Sequence, residues 1–361
     1  MKRLGLIAAV LVTAALVPAP AANAGSAQNT LAGAVAVADY DLGDTAFSDP
    51  RSGTVSEIRA EVYYPRVLVG RRPLIVLSHG SWWACDVQSA TTWPCPAGSH
   101  PFPSYRGYAF LGKALAAQGF VVVSISADAI NMTSFDYGDR ARLINEHLSL
   151  WEQLADHGNG PLAGKFFDPA TEKPVTPSFA GHVDLTDVGT LGHSRGGKGV
   201  MWQASDKHKT EWPAGVQIRA VLGLAPVKFD DPEGDHSDTL ITTLPFAVVT
   251  GGCDGAVHED GQQYLDDVTG HNTVTDFSVS LIDANHNYYN TNWSPPYPFG
   301  EDDSTCPNTE LTQGRQHDAL TTYATAFYRY ELYGDRSGLP ILTGRAHLGV
   351  ADNIRVVPAA S

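Results

Sequence analysis

The sequence predicts an α/β fold: a mostly parallel central sheet with helices on both faces, preceded by an N-terminal antiparallel hairpin. Three observations carry that prediction. Short apolar runs alternate with segments of helical periodicity, the order expected of strand–helix–strand units. Runs such as Pro73–Ser78 and Phe120–Ile125 are apolar without alternation, as strands buried on both faces are. Leu31–Leu42 and Glu57–Tyr64 instead alternate apolar and polar residues, with Ile58, Ala60, Val62 and Tyr64 on one face, which reads as a hairpin.

The remaining elements follow in order. Tyr105–Gln118 reads as a helix, with Phe110, Leu111, Ala114 and Leu115 on one face and Gly119 as its stop. Asp139–His157 is a second helix, carrying Leu143, His147, Leu150, Trp151 and Leu154 at helical spacing, so His147 reads as a core histidine. Gly158–Val183 is rich in glycine and proline, an excursion that is either a surface loop or a cover over a site. Asp187–Leu191 is a short buried strand, and Arg195–Ser205 can start a helix. Ile218–Ala225, Pro245–Gly251 and Val274–Asp283 are three more strands, the third of them the last in the chain, and Gly314–Gly334 is a C-terminal helix. No internal repeat interrupts the pattern, so residues 25–361 are expected to form one domain.

Composition narrows the partners. The formal net charge is −15, from 24 Lys and Arg against 39 Asp and Glu, which disfavours nucleic acid and anionic membranes. Residues 1–24 read as an export signal: Lys2 and Arg3, an apolar stretch from Leu4 to Val17 too short to span a bilayer, and Ala22-Asn23-Ala24 as a cleavage site. The mature chain is expected outside the cell, with no transmembrane segment. Cys85, Cys95, Cys253 and Cys306 make an even count in an exported chain, so two disulfides are expected among three arithmetically allowed pairings. The spacings match no zinc site. We pair Cys85 with Cys95, inside one short insertion. That leaves Cys253 with Cys306, a bridge from one strand-end loop to the segment beyond another.

Between the Asp187–Leu191 strand and the helix that follows it lies Gly192-His193-Ser194-Arg195-Gly196, a match to G-x-S-x-G. This turn holds a serine at the top of a sheet, and it is so tight that side chains at its flanks would clash. The pattern alone is weak; its position between a strand and a helix makes it informative. A serine hydroxyl needs a base to take its proton, and the base needs a carboxylate to fix its tautomer. Ligands meet open α/β sheets at the carboxyl ends of the strands, so the partners belong in loops just after strands. Asp254, past the Pro245–Gly251 strand, fits the acid; its alternative role is a helix cap. Asp230, Asp231 and Asp235 compete from an acidic loop that reads as solvated. His286, past Val274–Asp283, fits the base, ahead of His258, His271 and His317.

A tetrahedral intermediate also needs two N–H donors. The backbone N–H of Arg195 is one. Ser81, after His79-Gly80, is the choice for the other, with Trp82 as second choice and His79 as an orienting residue. Trp82, Trp83, Tyr288 and Trp293 flank these loops and either wall an apolar cleft or pack ordinarily.

These residues resemble the secreted bacterial serine esterases of the α/β-hydrolase superfamily, in particular chlorophyllase-like, platelet-activating-factor-acetylhydrolase-like and polyester-hydrolase-like enzymes. The resemblance runs through Tyr63-Tyr64-Pro65, Leu77-Ser78-His79-Gly80, Tyr105-Arg106-Gly107-Tyr108, Gln118-Gly119-Phe120-Val121-Val122, Gly192-His193-Ser194-Arg195-Gly196-Gly197, Asp254-Gly255 and Asn285-His286-Asn287. It implies an α/β-hydrolase fold and a serine hydrolase using Ser194, Asp254 and His286, with no metal or organic cofactor. The chain departs from the pattern at the Trp82–His100 insertion and in the aromatic loop after His286. The expected activity is hydrolysis of a small-molecule or polymeric ester through an acyl-enzyme. A peptidase or amidase with the same triad, an acyltransferase and a non-catalytic binding protein are the alternatives. Natural substrate and oligomeric state are left open by the sequence.

Overall fold

The computed structural model describes residues 34–134 and 136–360. The export signal read at residues 1–24 lies outside them. Twelve strands are found among the described residues: β1 (Val35–Asp41), β2 (Phe47–Ser48), β3 (Val55–Ser56), β4 (Arg59–Pro65), β5 (Arg72–Ser78), β6 (Val121–Ile125), β7 (Phe166–Phe167), β8 (Val183–His193), β9 (Ile218–Leu224), β10 (Phe246–Gly251), β11 (Asp276–Leu281) and β12 (Asp352–Val357). The helices are α1 (Ala109–Ala117), α2 (Asp128–Thr133), α3 (Tyr137–His157), α4 (Arg195–Ala204), α5 (Gln263–Val268), α6 (Gln313–Tyr333) and α7 (Leu339–Leu342), with short 3-10 turns between.

Ten strands form one sheet in the order β12-β11-β10-β9-β8-β5-β6-β4-β1-β7. The block from β6 to β11 is parallel throughout. Antiparallel strands flank it: β4, β1 and β7 on one side, β12 on the other. The hairpin expectation holds as β1 against β4, in register from Val35 opposite Pro65 to Asp41 opposite Arg59, with the small β2–β3 pair between them in sequence.

Alternation along the buried strands divides the core in two. Leu74 and Val76 of β5 join Val121 and Val123 of β6 on the face covered by α3, α4 and α5. Ile75 and Leu77 join Val122 on the other face, under α1 and α6. Helices therefore cover both faces of a mostly parallel sheet. His147 lies in the first core with its Nδ1 bonded to the Tyr40 hydroxyl at 2.7 Å, as a core histidine does.

Three expectations need correction. Val274–Asp283 is not the last strand, because β12 follows it in the chain and pairs antiparallel outside it, from Asp276 opposite Val357 to Leu281 opposite Asp352. In α1 Leu111 and Leu115 are buried as expected, but Phe110 and Ala114 are only half-buried, and Gly112 and Ala116 complete the buried face instead. The Gly158–Val183 excursion is an edge element: β7 pairs with β1, five strands from β8, and Leu162, Phe166 and Phe179 are buried in the core.

Candidate active site

Three loops at the C-terminal ends of β8, β10 and β11 meet above the sheet. After β8, Ser194 has φ 57° and ψ −121°, a conformation that costs a non-glycine residue about 1–3 kcal/mol. Neighbouring strands hold it there. Its N–H donates to Leu224 O at 2.9 Å, and its carbonyl accepts from Val227 N–H at 3.2 Å. The flanking glycines are steric requirements: a Cβ on Gly192 would run into the backbone of Gly196, and one on Gly196 into the Ser78 carbonyl. Gly80 closes the same contact from β5, since a Cβ there would sit 2.5 Å from Ser194 Cβ and 2.7 Å from His193 O. The loop after β5 thus lies directly against Ser194.

Asp254 and His286 meet. His286 Nδ1 and Asp254 Oδ2 are 2.8 Å apart, and both side chains are buried. The other carboxylate oxygen, Oδ1, accepts from the backbone N–H of Ala256 (2.8 Å), Val257 (2.7 Å) and His258 (3.3 Å). One oxygen therefore caps the turn that follows while the other faces His286 Nδ1. A carboxylate on Nδ1 fixes the imidazole with Nε2 as its basic nitrogen, the arrangement that accepts a proton from a nearby hydroxyl. The His286 ring lies 4.5 Å from the ring of His193, the residue before Ser194. The competing carboxylates do not approach this histidine: Asp230 and Asp235 are exposed, and Asp231 caps its own turn through Glu233 N–H. His258 and His271 are exposed, while His317 stacks on Phe110 and bonds the Tyr288 carbonyl.

Contacts from outside the three residues support this centre. Asp303 braces both loops: Oδ2 accepts from Gly255 N–H (3.0 Å) and His286 N–H (3.3 Å), and Oδ1 from Asn287 N–H (2.8 Å). Asn285 reaches the neighbouring Asp302 at 3.1 Å. His193 is buried beneath the His286 ring with Nδ1 on the Tyr108 hydroxyl at 2.9 Å, and desolvation holds its pKa well below the ordinary histidine value. Such contacts span long sequence separations between loops, where no periodicity reports them.

Ser81 follows Gly80 at the surface, and its N–H donates to no acceptor among the described residues. Arg195 opens α4, so its N–H lies at the helix N-terminus. His79 is fully buried. Its Nδ1 faces the Gly80 carbonyl and its Nε2 the Ala127 N–H, both at 2.8 Å, which fixes a neutral tautomer with the proton on Nδ1. Burial, followed by the charge of Arg140, pushes its pKa down to about 3.

The aromatic residues divide. Trp82 and the exposed Trp83 line, with Glu301, a pocket of about 240 Å³. Trp293 is fully buried, stacked between Trp82 (5.3 Å) and His193 (4.9 Å), with its indole N–H on Ser104 Oγ at 3.0 Å. It backs the centre rather than walling it. Tyr288 is half-buried and donates its hydroxyl to Glu310. A larger pocket of about 470 Å³ opens beside Glu61, Tyr63 and Lys113 at the β1–β4 edge, and neither pocket is lined by Ser194, Asp254 or His286.

The cysteines pair as expected. Cys85 and Cys95 have Cα atoms 5.8 Å apart, and Cys253 and Cys306 5.3 Å apart. The second bridge is one residue from Asp254 and three from Asp303. Compared with known proteins, the chain matches no family model and no curated relative.

Proposed function

We propose that this protein is an exported hydrolase of carboxylic esters, built on the α/β-hydrolase plan and working through an acyl-enzyme on Ser194. The observation that carries the reading is the 2.8 Å contact between His286 and Asp254, in loops that meet beside the strained Ser194 turn. In this reading Ser194 Oγ attacks the ester carbonyl carbon while His286 Nε2 takes its proton. Asp254 holds the opposite N–H and stabilises the imidazolium as it forms. The backbone N–H groups of Ser81 and Arg195 receive the oxyanion. Collapse of the tetrahedral intermediate breaks the C–O bond, and His286 returns the proton to the departing alcohol. Water repeats the sequence on the acyl-enzyme and releases the acid. Trp82 and Trp83 supply apolar surface for an acyl or aromatic group.

Export is supported by the signal-like residues 1–24 and by two disulfides, which persist in oxidising compartments. Among the described residues no helix is long and apolar enough to cross a membrane. A panel of chromogenic acyl esters and aminoacyl anilides, run on wild type and Ser194→Ala, tests the proposal. Ester turnover that is lost in the variant supports it. Anilide turnover of comparable efficiency would replace it with a peptidase, and silence on both with a binding protein.

A further inference from the structure

One peptide plane in this site is pinned from behind. Gly80–Ser81 is a trans peptide, so its C=O and N–H point in opposite directions and fixing one aims the other. The Gly80 carbonyl carries two donors, His79 Nδ1–H at 2.8 Å and Asn131 Nδ2–H at 3.1 Å. Asn131 sits in α2, a six-residue helix, and is itself held by Arg140 of α3, whose Nη2 donates to Asn131 Oδ1. The second nitrogen of Arg140, Nη1, donates to the His79 carbonyl at 3.1 Å, so one buried guanidinium fixes both ends of the arrangement. The Ser81 N–H, on the opposite edge of the same plane, has no acceptor among the described residues, and Gly80 presses against Ser194.

We propose that Asn131, held by Arg140, is a positioning residue that turns the Gly80–Ser81 peptide so that the Ser81 N–H faces the oxyanion forming on a Ser194-bound substrate. The inference rests on the esterase reading for its catalytic consequence, but the lock is a property of the fold and can be read without turnover. Its chemistry is simple. An N–H held in place needs no reorganisation when charge develops, which is why removing one such donor typically costs about 10²–10³ in kcat. Losing the aim rather than the donor costs less. Loss of the Asn131 donor is expected to lower kcat about 10- to 100-fold.

The test uses three variants of the full chain. Asn131→Asp keeps the acceptor for Arg140 and removes the donor to Gly80. Asn131→Ala removes both. Thr133→Ala deletes a hydroxyl bonded to Ala129 O in the same short helix and touches nothing at Gly80, so it controls for damage to α2. With an ester substrate, both Asn131 variants should lose kcat with KM changed less than about threefold, while the acid limb of the pH profile stays where it is in wild type. Thr133→Ala should stay within about twofold of wild type. The Ser81 amide is read separately, as its ¹H–¹⁵N resonance in folded protein: it should move in both Asn131 variants and not in Thr133→Ala. A folded Asn131→Asp with wild-type kcat overturns the proposal. So does a shifted acid limb, which would place the defect at His286, or an equal loss in Thr133→Ala. If wild type turns over no ester, the esterase reading fails by itself, and an unmoved Ser81 resonance in Asn131→Asp then overturns the lock on its own evidence.

Discussion

Asp303 Oδ2 accepts the backbone N–H of His286 and, with the same oxygen, the N–H of Gly255 next to Asp254. One carboxylate thus joins the Asp254 loop to the His286 loop, and its second oxygen extends the brace to Asn287. The Asp254–His286 distance is set partly from outside the pair. Asp303→Ala is expected to lower kcat roughly tenfold and to broaden the temperature range of unfolding, because three backbone donors lose their acceptor. Asp303→Asn keeps one acceptor oxygen and should fall between. Steady-state kinetics on the two variants check this; equal and wild-type kcat in both would show that the loops keep their geometry without the brace.

The Cys253–Cys306 bridge lies on the same segment as Asp303, and Thr305 N–H bonds the Cys253 carbonyl at 2.9 Å. Replacing both cysteines by serine should cost up to about 4 kcal/mol of stability by loop-closure entropy and also lower kcat. Replacing Cys85 and Cys95 should cost up to about 3 kcal/mol and change mainly substrate fit, since that bridge lies in the insertion beside Trp82 and Trp83. Thermal unfolding and kcat measured on the two double variants separate the bridges. A kcat loss confined to the Cys85–Cys95 variant would reverse the assignment.

Activity should fall on acidification in a single step. His286 must be neutral to accept the serine proton, and His193, whose ring lies 4.5 Å away, is kept neutral by desolvation, so it adds no second ionisation. A pH profile of kcat/KM taken on protein that remains folded measures this. A profile that does not fall on acidification would contradict His286 as the base.

Stability should respond to pH in the opposite sense at the β1–β4 pair. Asp39 and Glu61 stand directly opposite each other in register, and both are buried. Desolvation raises Asp39 to about 7, outweighing the lowering by Arg106, and Glu61 is raised by burial as well. A carboxyl group whose folded pKa lies above its unfolded value binds more protons when folded. Its contribution is therefore full at acid pH and lost as pH rises through about 7. Denaturant unfolding between about pH 4 and pH 8 should show Asp39→Asn gaining on wild type by on the order of 2 kcal/mol over that range. Parallel curves would show that Arg106 compensates the buried charge.

The sequence announces the parts of this architecture that repeat or punctuate. The continuous apolar runs of β5, β6, β9 and β10 and the Gly192–Gly196 turn are legible because burial on both faces and a tight turn each leave a local signature. Asp254 and His286 are legible because each falls a few residues past a strand the sequence marks, β10 and β11. β12 is not, because its residues Asp352–Val357 are mostly half-exposed at a sheet edge and carry no continuous apolar run. Nor is α2, six residues with no room for periodicity, although it holds Asn131. Trp293 shows the limit most sharply: an aromatic residue in a polar loop reads equally as a cleft wall or as packing, and only its stacking on His193 decides. Asp303, set in the run Glu301-Asp302-Asp303, carries the composition of a solvated loop while bonding backbones 16 to 48 positions away.

In the proposed mechanism Ser194 is a nucleophile activated by His286 and Asp254. Treatment of the intact protein with a fluorophosphonate, followed by peptide mass mapping, tests it most directly, because only an activated serine displaces fluoride at an appreciable rate. One adduct is expected, on the peptide containing Ser194, and it should disappear in Ser194→Ala and in His286→Ala. An adduct on another residue, or an unlabelled Ser194 in folded protein, would contradict it.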